Sequence, residues 1–258
     1  AVAISKNSKA VNSNALAFGQ NVQSGSGGIA IGSTLVGRTG SVLIGKSGTQ
    51  TGNYAVSVGS GLTSSTGSVA LGANVNSGSY SVAMGKGNTS GSYAVSIGMG
   101  VTAGSYGVAI GLNNTASNYG VSIGKGNTAG TMSIVIGRDN VANSGTSAEP
   151  GVTVGVSNTN NTRANIFGAS NTGNNDVSIY GSTNSGSNSS TNNTRYALIY
   201  GHGNTISSYN GLVYGKNNTV LRNGMAYGSG NDAKNEGITF GYDNEANMLS
   251  ANTAYHSF

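Results

Sequence analysis

A short apolar run closed by glycine returns along this chain at a nearly fixed interval, and that interval limits the fold more than any other feature. It reads Leu16-Ala17-Phe18-Gly19, Ile29-Ala30-Ile31-Gly32, Val42-Leu43-Ile44-Gly45 and Val56-Ser57-Val58-Gly59. It continues through Gly72, Gly85, Gly98, Gly111, Gly124, Gly137, Gly155, Gly168, Gly181, Gly201, Gly215, Gly228 and Gly241. Of the 16 spacings between these 17 glycines, 12 are 13 residues and two are 14. Only Gly137 to Gly155 (18) and Gly181 to Gly201 (20) are longer. Val2-Ala3-Ile4-Ser5 reads as one further copy, with Ser in place of Gly. A fixed short period is the mark of a repeat architecture in which each unit buries its apolar face on the next.

The residue before the glycine is apolar or aromatic in all 17 copies, and the residue two positions earlier is apolar in 15, Asn165 and Ser178 being the exceptions. Alternation of period two, rich in Val and Ile, predicts a strand, and no stretch carries a helical period. The residue between them is often Ala, sometimes Val, Leu or Ile, so both strand faces are expected to be buried, one inside the coil and one against a partner. Three residues after the glycine stands Asn88, Asn114, Asn127, Asn140, Asn158, Asn171, Asn184, Asn204, Asn218, Asn231 or Asn244. These predict a structural row, because Asn tolerates left-handed backbone, can bond the backbone of a turn and, stacked coil on coil, can bond its own kind. The expectation is all-β: a parallel β-solenoid of about 18 short coils, each rising about 4.8 Å. So small a coil encloses little volume, and a symmetric oligomer is the economical cover for the apolar surface left over. Residues 1–142 are the regular coils. Residues 143–258 continue them with longer loops, near 143–150 and 182–194, and with aromatic core positions, because the residue before Gly becomes Phe167, Tyr180, Tyr200, Tyr214, Tyr227 and Phe240.

Glycine makes up 44 of 258 residues and charged residues only 7%, a composition that elsewhere signals disorder. Strict spacing of the apolar residues argues against it here. No apolar run approaches the roughly 18 residues that a membrane helix needs, no signal peptide is legible, and the absence of cysteine excludes disulfides. Residues 1–138 hold seven Lys and Arg and no acid; all seven acids, from Asp139 to Glu245, lie beyond, against five Lys and Arg. The first half therefore favours an anionic partner.

Little in the chain suggests catalysis. Gly40-Ser41-Val42-Leu43-Ile44-Gly45-Lys46-Ser47 matches a phosphate-loop pattern, but its middle is the repeat's own strand and no helix is expected after it. His202 and His256 are far apart, the acids are sparse, and no metal-ligand spacing occurs. No enzyme activity and no cofactor are expected. Three outward columns remain. Tyr54, Tyr80, Tyr93, Tyr106 and Tyr119 stand five before the glycine, and Lys46, Lys86, Lys125, Arg138 and Lys216 follow it directly. The Tyr with Lys46, Lys86, Lys125 and Arg138 form a possible surface-binding stripe. Their charges are too thinly spread for nucleic acid. A Thr column at Thr49, Thr63, Thr89, Thr102, Thr115, Thr128, Thr159, Thr172, Thr205 and Thr219 raises ice binding, though a flat ice-binding face wants at least two such columns.

Gly67-Ser68-Val69-Ala70-Leu71-Gly72, Tyr93-Ala94-Val95-Ser96-Ile97-Gly98 and Tyr106-Gly107-Val108-Ala109-Ile110-Gly111, with Ala103, Ala116 and Ala129 five after the glycine, resemble the head repeats of YadA-like trimeric autotransporter adhesins. Related repeats occur in bacteriophage fibres. The resemblance covers residues 1 to about 142 well and the rest loosely. It implies a left-handed parallel β-roll, a homotrimer, and an extracellular place on a cell surface or virion appendage, in contact with a host-surface protein or glycan and without membrane insertion. No heptad stalk, neck or membrane anchor is legible, so the chain is not expected to be a whole autotransporter. The expected role is an adhesin-like module for surface attachment. The alternative is a purely structural subunit stacking end to end into an extracellular filament, suggested by the lack of a polar cap.

Overall fold

The computed structural model describes residues 1–143, 150–187, 197–207 and 210–247. Among them there is no helix. The chain divides into two compact units, Ala1–Arg138 and Asp139–Phe258. Each is a parallel β-solenoid, and the two contain about 18 turns. A turn consists of a long strand that ends just past the repeat glycine and a short strand after it. In the first unit Val95–Met99 lies between Val82–Lys86 and Val108–Leu112, with Gly98 in register with Gly85 and Gly111. The short strand Thr102–Ala103 lies likewise between Thr89–Ser90 and Thr115–Ala116. Because pairing is parallel and one turn long, every position of the repeat stacks on its own kind.

The register also absorbs the irregular spacings. The 14-residue step from Gly45 to Gly59 keeps Val42 opposite Val56. In the second unit the 20-residue step keeps Gly181 opposite Gly201, and Val141–Ala142 pairs with Thr159 and Asn160. Of the expected loop near 182–194, Ser182 and Ser185–Ser187 are strand. Residues 144–149 and 188–196, on which the rest of the two expected loops falls, lie outside the described residues.

What makes the glycine indispensable is the closeness of successive coils. A Cβ on Gly98 would stand 1.8 Å from the carbonyl oxygen of Gly111, and one on Gly111 would stand 2.0 Å from that of Gly124. The same collision recurs at Gly32, Gly59 and Gly215, each at 1.8 Å. Their φ values, between 120° and 142° for these five, are also open to glycine and little else. Backbone therefore packs on backbone with no side chain between.

Alternation sorts the remaining side chains. The residue two before the glycine points inward and is fully buried, as at Ala17, Ala30, Leu43, Ser96, Ile166 and Val213. Its neighbours on either side point outward. Four inward positions per turn fill the coil, and in the first unit they are chiefly Ala, Ser, Asn and Val. Where a large residue enters, a glycine faces it: a Cβ on Gly48 would meet Leu43 Cδ1 at 2.9 Å, and one on Gly186 would meet Val177 Cγ1 at 2.4 Å.

Within a single chain one face of the long strand is buried and the other is open. One expectation changes: within the chain the aromatic positions of the second unit lie outside the coil. Phe167, Tyr200, Tyr214, Tyr227 and Phe240 are exposed, because the residue adjacent to the glycine falls on the outer side of the pleat. The core of that unit is enlarged instead by Ile166, Val177, Ile179, Ile199, Ile206, Val213 and Val220.

Gly98→Ala is expected to destabilise the protein by roughly 3 kcal/mol or more, from overlap and backbone strain together. Gly87, with φ of 66° and nothing within 4 Å of a built Cβ, offers the control: Gly87→Ala should cost only about 1 kcal/mol. Chemical denaturation of the two variants, followed by circular dichroism, checks the contrast; equal midpoints would rule out the close approach as the reason for the glycine.

Candidate functional site

The most ordered polar feature is internal. Each row Asn sits three residues after the glycine, and all but Asn244 are buried inside the turn. Asn88 Nδ2 donates to the carbonyls of Met84 (2.6 Å) and Gly98 (2.9 Å), and Asn88 Oδ1 accepts the backbone N–H of Val101 at 3.0 Å. In the second unit the side chains also bond each other: Asn171 Nδ2 donates to Asn158 Oδ1 at 3.0 Å, and Asn184 Nδ2 to Asn171 Oδ1 at 3.1 Å. Asn204, Asn218 and Asn244 extend the chain of amides with bonds of 3.1 to 3.2 Å. Each amide thereby satisfies the carbonyl that the corner leaves unpaired, which is what a buried polar group requires. The left-handed residue is not this Asn but the one before it: Gly87, Asn113, Gly126, Ser170 and Asn217 all have positive φ. Left-handed backbone thus belongs to the preceding residue, and the Asn side chain bonds the backbone of the turn.

The outer face of the long strand is a continuous apolar strip. In the first unit its two columns run Leu16, Ile29, Val42, Val56, Val69, Val82, Val95, Val108, Val121, Ile134 and Phe18, Ile31, Ile44, Val58, Leu71, Met84, Ile97, Ile110, Ile123, Ile136. No charged or polar side chain interrupts either column. All of these residues are intermediate or exposed. In the second unit one column becomes the aromatic ladder. Phe167 stacks on Tyr180 at 5.2 Å, Tyr180 on Tyr200 at 4.7 Å and Tyr214 on Tyr227 at 5.0 Å.

The Tyr column of the first unit lies at the corner that precedes the long strand, and every member is left-handed, with φ between 54° and 59°. Tyr80, Tyr93, Tyr106 and Tyr119 form a stack with centroids 4.9 to 5.3 Å apart and planes within 14°. Met132, φ 59°, continues the column at its far end, a member that Tyr spacing alone did not reveal. Ring faces are therefore occupied by one another, and the stack shows solvent mainly its edges and hydroxyls. Tyr54 stands apart from it, without a ring neighbour, and is the most exposed of the five at 68%.

Lys46, Lys86, Lys125 and Arg138 are exposed but belong to a different column, at the opposite end of the long strand from the Tyr corner. The two do not form a single stripe. Between Lys46 and Lys86 lie the rungs of Ser60 and Ala73, and between Lys86 and Lys125 those of Met99 and Leu112. Three rungs are about 14 Å, beyond the roughly 8 Å screening length of physiological salt, so these lysines act as separate charges. Thr89, Thr102, Thr115 and Thr128 are exposed and in register on the short strands, one column wide.

The remaining candidates do not assemble. Of the phosphate-loop match, residues 42–47 belong to the strand Val42–Gln50. His202 is exposed, with Nδ1 2.9 Å from Ser182 Oγ, and His256 lies outside the described residues. Among the described residues no three His, Cys, Asp or Glu come together as a metal site. The pKa of Lys234 is raised by its hydrogen bonds to Asp232 and Glu245. No protein-family model matches the chain, and no curated protein shows significant similarity to it.

Two expectations follow. Asn171→Ala strips partners from the Gly181 carbonyl and the Asn184 N–H and should cost about 2–3 kcal/mol for the groups left buried and unpaired, with faster hydrogen exchange at Asn184; unchanged exchange would count against the amide as the corner's support. For the Tyr corner, Tyr106→Gly loses two stacked neighbours worth about 0.5–1.5 kcal/mol each, whereas Tyr54→Gly loses none and gains about 1 kcal/mol of relieved strain. Tyr106→Gly should therefore melt below Tyr54→Gly, by calorimetry.

Proposed function

We propose that the chain is an extracellular fibrous module for surface attachment that works as a homotrimer, its protomers packing their long-strand faces around a common axis. The observation that carries this reading is the uninterrupted aliphatic strip on the outer side of the first unit. Twenty successive outward positions without a polar residue far exceed the scattered apolar residues normal on a monomer's surface. The coil cannot take them inward, because its four inward positions per turn are already filled. A face repeated rung by rung on every copy is self-complementary, which favours a symmetric homo-oligomer over a foreign partner. The likeness of residues 1 to about 142 to YadA-like head repeats supports three as the number and attachment as the role. It also supports a left-handed winding and a host-surface protein or glycan as the partner. The acid-free first unit suits an anionic surface. No reaction, cofactor or nucleic acid enters this reading.

Light scattering on the purified protein should give three times the 25.5 kDa of one chain. The double variant Ile97→Glu, Ile123→Glu, two rungs apart on the strip, should dissociate the assembly while its β circular dichroism persists. A wild-type mass of one chain sinks the proposal. A mass that climbs steadily with concentration favours the filament reading, in which subunits stack end to end.

A further inference from the structure

The Tyr corner column of the first unit has one rung missing. Backbone hydrogen bonds from each corner to the coil before it fix the order. Tyr54 N–H donates to Thr39, Gly67 N–H to Asn53, Tyr80 N–H to Thr66 and Tyr93 N–H to Ser79. Reading along the column gives Gly40, Tyr54, Gly67, Tyr80, Tyr93, Tyr106, Tyr119 and Met132. Gly67 has φ of 62°, the same left-handed conformation as the Tyr on either side, but it carries no ring. Tyr54 and Tyr80 therefore stand two rungs apart with no ring on the rung between them, and the Tyr80 ring leans over the bare Gly67 backbone, 2.9 Å from where a Cβ would stand.

The width of that gap follows from the stack itself. Neighbouring rings in the intact ladder are about one van der Waals thickness apart, roughly 3.5–4.0 Å between planes. Removing one ring leaves planes about 7–8 Å apart, room for one ring-shaped group in contact with both. Energetics point the same way. A left-handed Tyr costs about 1–2 kcal/mol, which stacking offsets for the four Tyr of the ladder. Tyr54 carries the strain with no ring stacked on it and with 68% of its surface in water. The Tyr54 ring lies over the Gly40 backbone, where a built Cβ would stand 2.6 Å from its Cδ1, and among the described residues no ring stacks on its side toward Gly67.

The rim of the gap selects the occupant. Asn53, Thr66 and Ser79 precede the three corner residues and are intermediate or exposed. Among the described residues their side chains make no hydrogen bond. Flat apolar faces above and below with hydroxyl and amide groups around the edge match a pyranose, which presents C–H groups on its faces and hydroxyls around its rim. A slot closed on both faces further requires that neither face carry an axial hydroxyl. Among common hexopyranoses that is the all-equatorial β-D-glucopyranosyl ring.

We propose that Tyr54, Gly67 and Tyr80 form a saccharide slot that holds one β-D-glucopyranosyl residue of a neutral glycan, sandwiched between the two phenol rings. This deepens the attachment reading and rests on it for its purpose, but the site lies wholly within one unit of one chain.

The test uses the full protein and cellotetraose, followed by saturation-transfer difference NMR and calorimetric titration, with β-mannotetraose, whose 2-hydroxyl is axial, as the comparison. Cellotetraose should bind with saturation transfer to protons on both ring faces, and β-mannotetraose at least tenfold more weakly. Gly67→Tyr supplies the missing ring in a conformation its neighbours already adopt, with Tyr80 moving slightly to make room, and should abolish binding while the fold is kept by circular dichroism. Tyr54→Ala should weaken binding at least tenfold, whereas Tyr106→Ala should leave it unchanged. Absence of cellotetraose binding overturns the slot, and so does undiminished binding by a folded Gly67→Tyr. Light scattering on the same samples separates the two proposals: a trimer that ignores cellotetraose removes only the slot, and a monomer that binds it removes only the assembly.

Discussion

Everything in each unit depends on the contact of one repeat glycine with the carbonyl of the next. Successive backbones meet there so closely that a single carbon atom has no place; at Gly215 a Cβ would lie 1.8 Å from the Gly228 oxygen. This contact forces the chain to return to the same point after each turn, and it tolerates extra residues only where they can bulge from a corner. The glycine therefore sets the period, and the period sets the columns. Side chains that would be distant in an ordinary domain become neighbours of their own kind, so that a small preference at one position is multiplied along the stack.

That multiplication explains both the order inside and the exposure outside. A lone buried Asn would be a liability, since its amide needs several partners at once. In a column each Asn offers its carbonyl to the next backbone N–H and its NH2 to the next glycine carbonyl, so that every rung completes the one before. The same logic applied to the outer face yields the opposite result. Apolar residues repeated on the outside of a narrow coil cannot be absorbed by it, because a 13-residue turn is filled by Ala, Ser and Val. The coil's small volume is the reason that the strip exists and the reason that something else must cover it.

Much of this was legible in the residues, and the parts that were not share a cause. The glycine interval and the period-two alternation specified strands, parallel stacking and the inward Ala17, Ala30 and Ala83, because each rests on the position of a residue relative to its own repeat. The aromatic run from Phe167 to Phe240 was read as core since large apolar residues are usually inside, yet its place beside the glycine puts it on the outer side of the pleat. The larger interior of the second unit is announced by Ile166, Ile179, Ile199 and Val213, two before the glycine, a column that was read only as a face. Asn was read as tolerating left-handed backbone, whereas the corner needs it one residue earlier, where Gly87, Gly100 and Gly126 stand. The Tyr and Lys columns are already distinct in the sequence, five before the glycine and one after it, but spacing alone does not tell which corners of the turn these positions occupy.

The two corners of a turn also differ in what they can evolve to do. The corner after the glycine is tied to the Asn ladder and is filled by residues that enter left-handed backbone at little cost, such as Gly, Asn, Ser and Asp. The corner before the long strand holds Gly in some turns and Tyr in others at nearly the same φ, 62° at Gly67 against 57° at Tyr93. Its backbone thus keeps one conformation whether a ring or nothing projects from it, at a strain of about 1–2 kcal/mol for each Tyr. A rigid scaffold with one permissive column is where specificity can be written rung by rung. In the first unit that column alternates between bare backbone and stacked rings, and the boundary between the two, at Tyr54 and Gly67, is the place where a ring from outside the chain finds the geometry that a ring from inside would have filled.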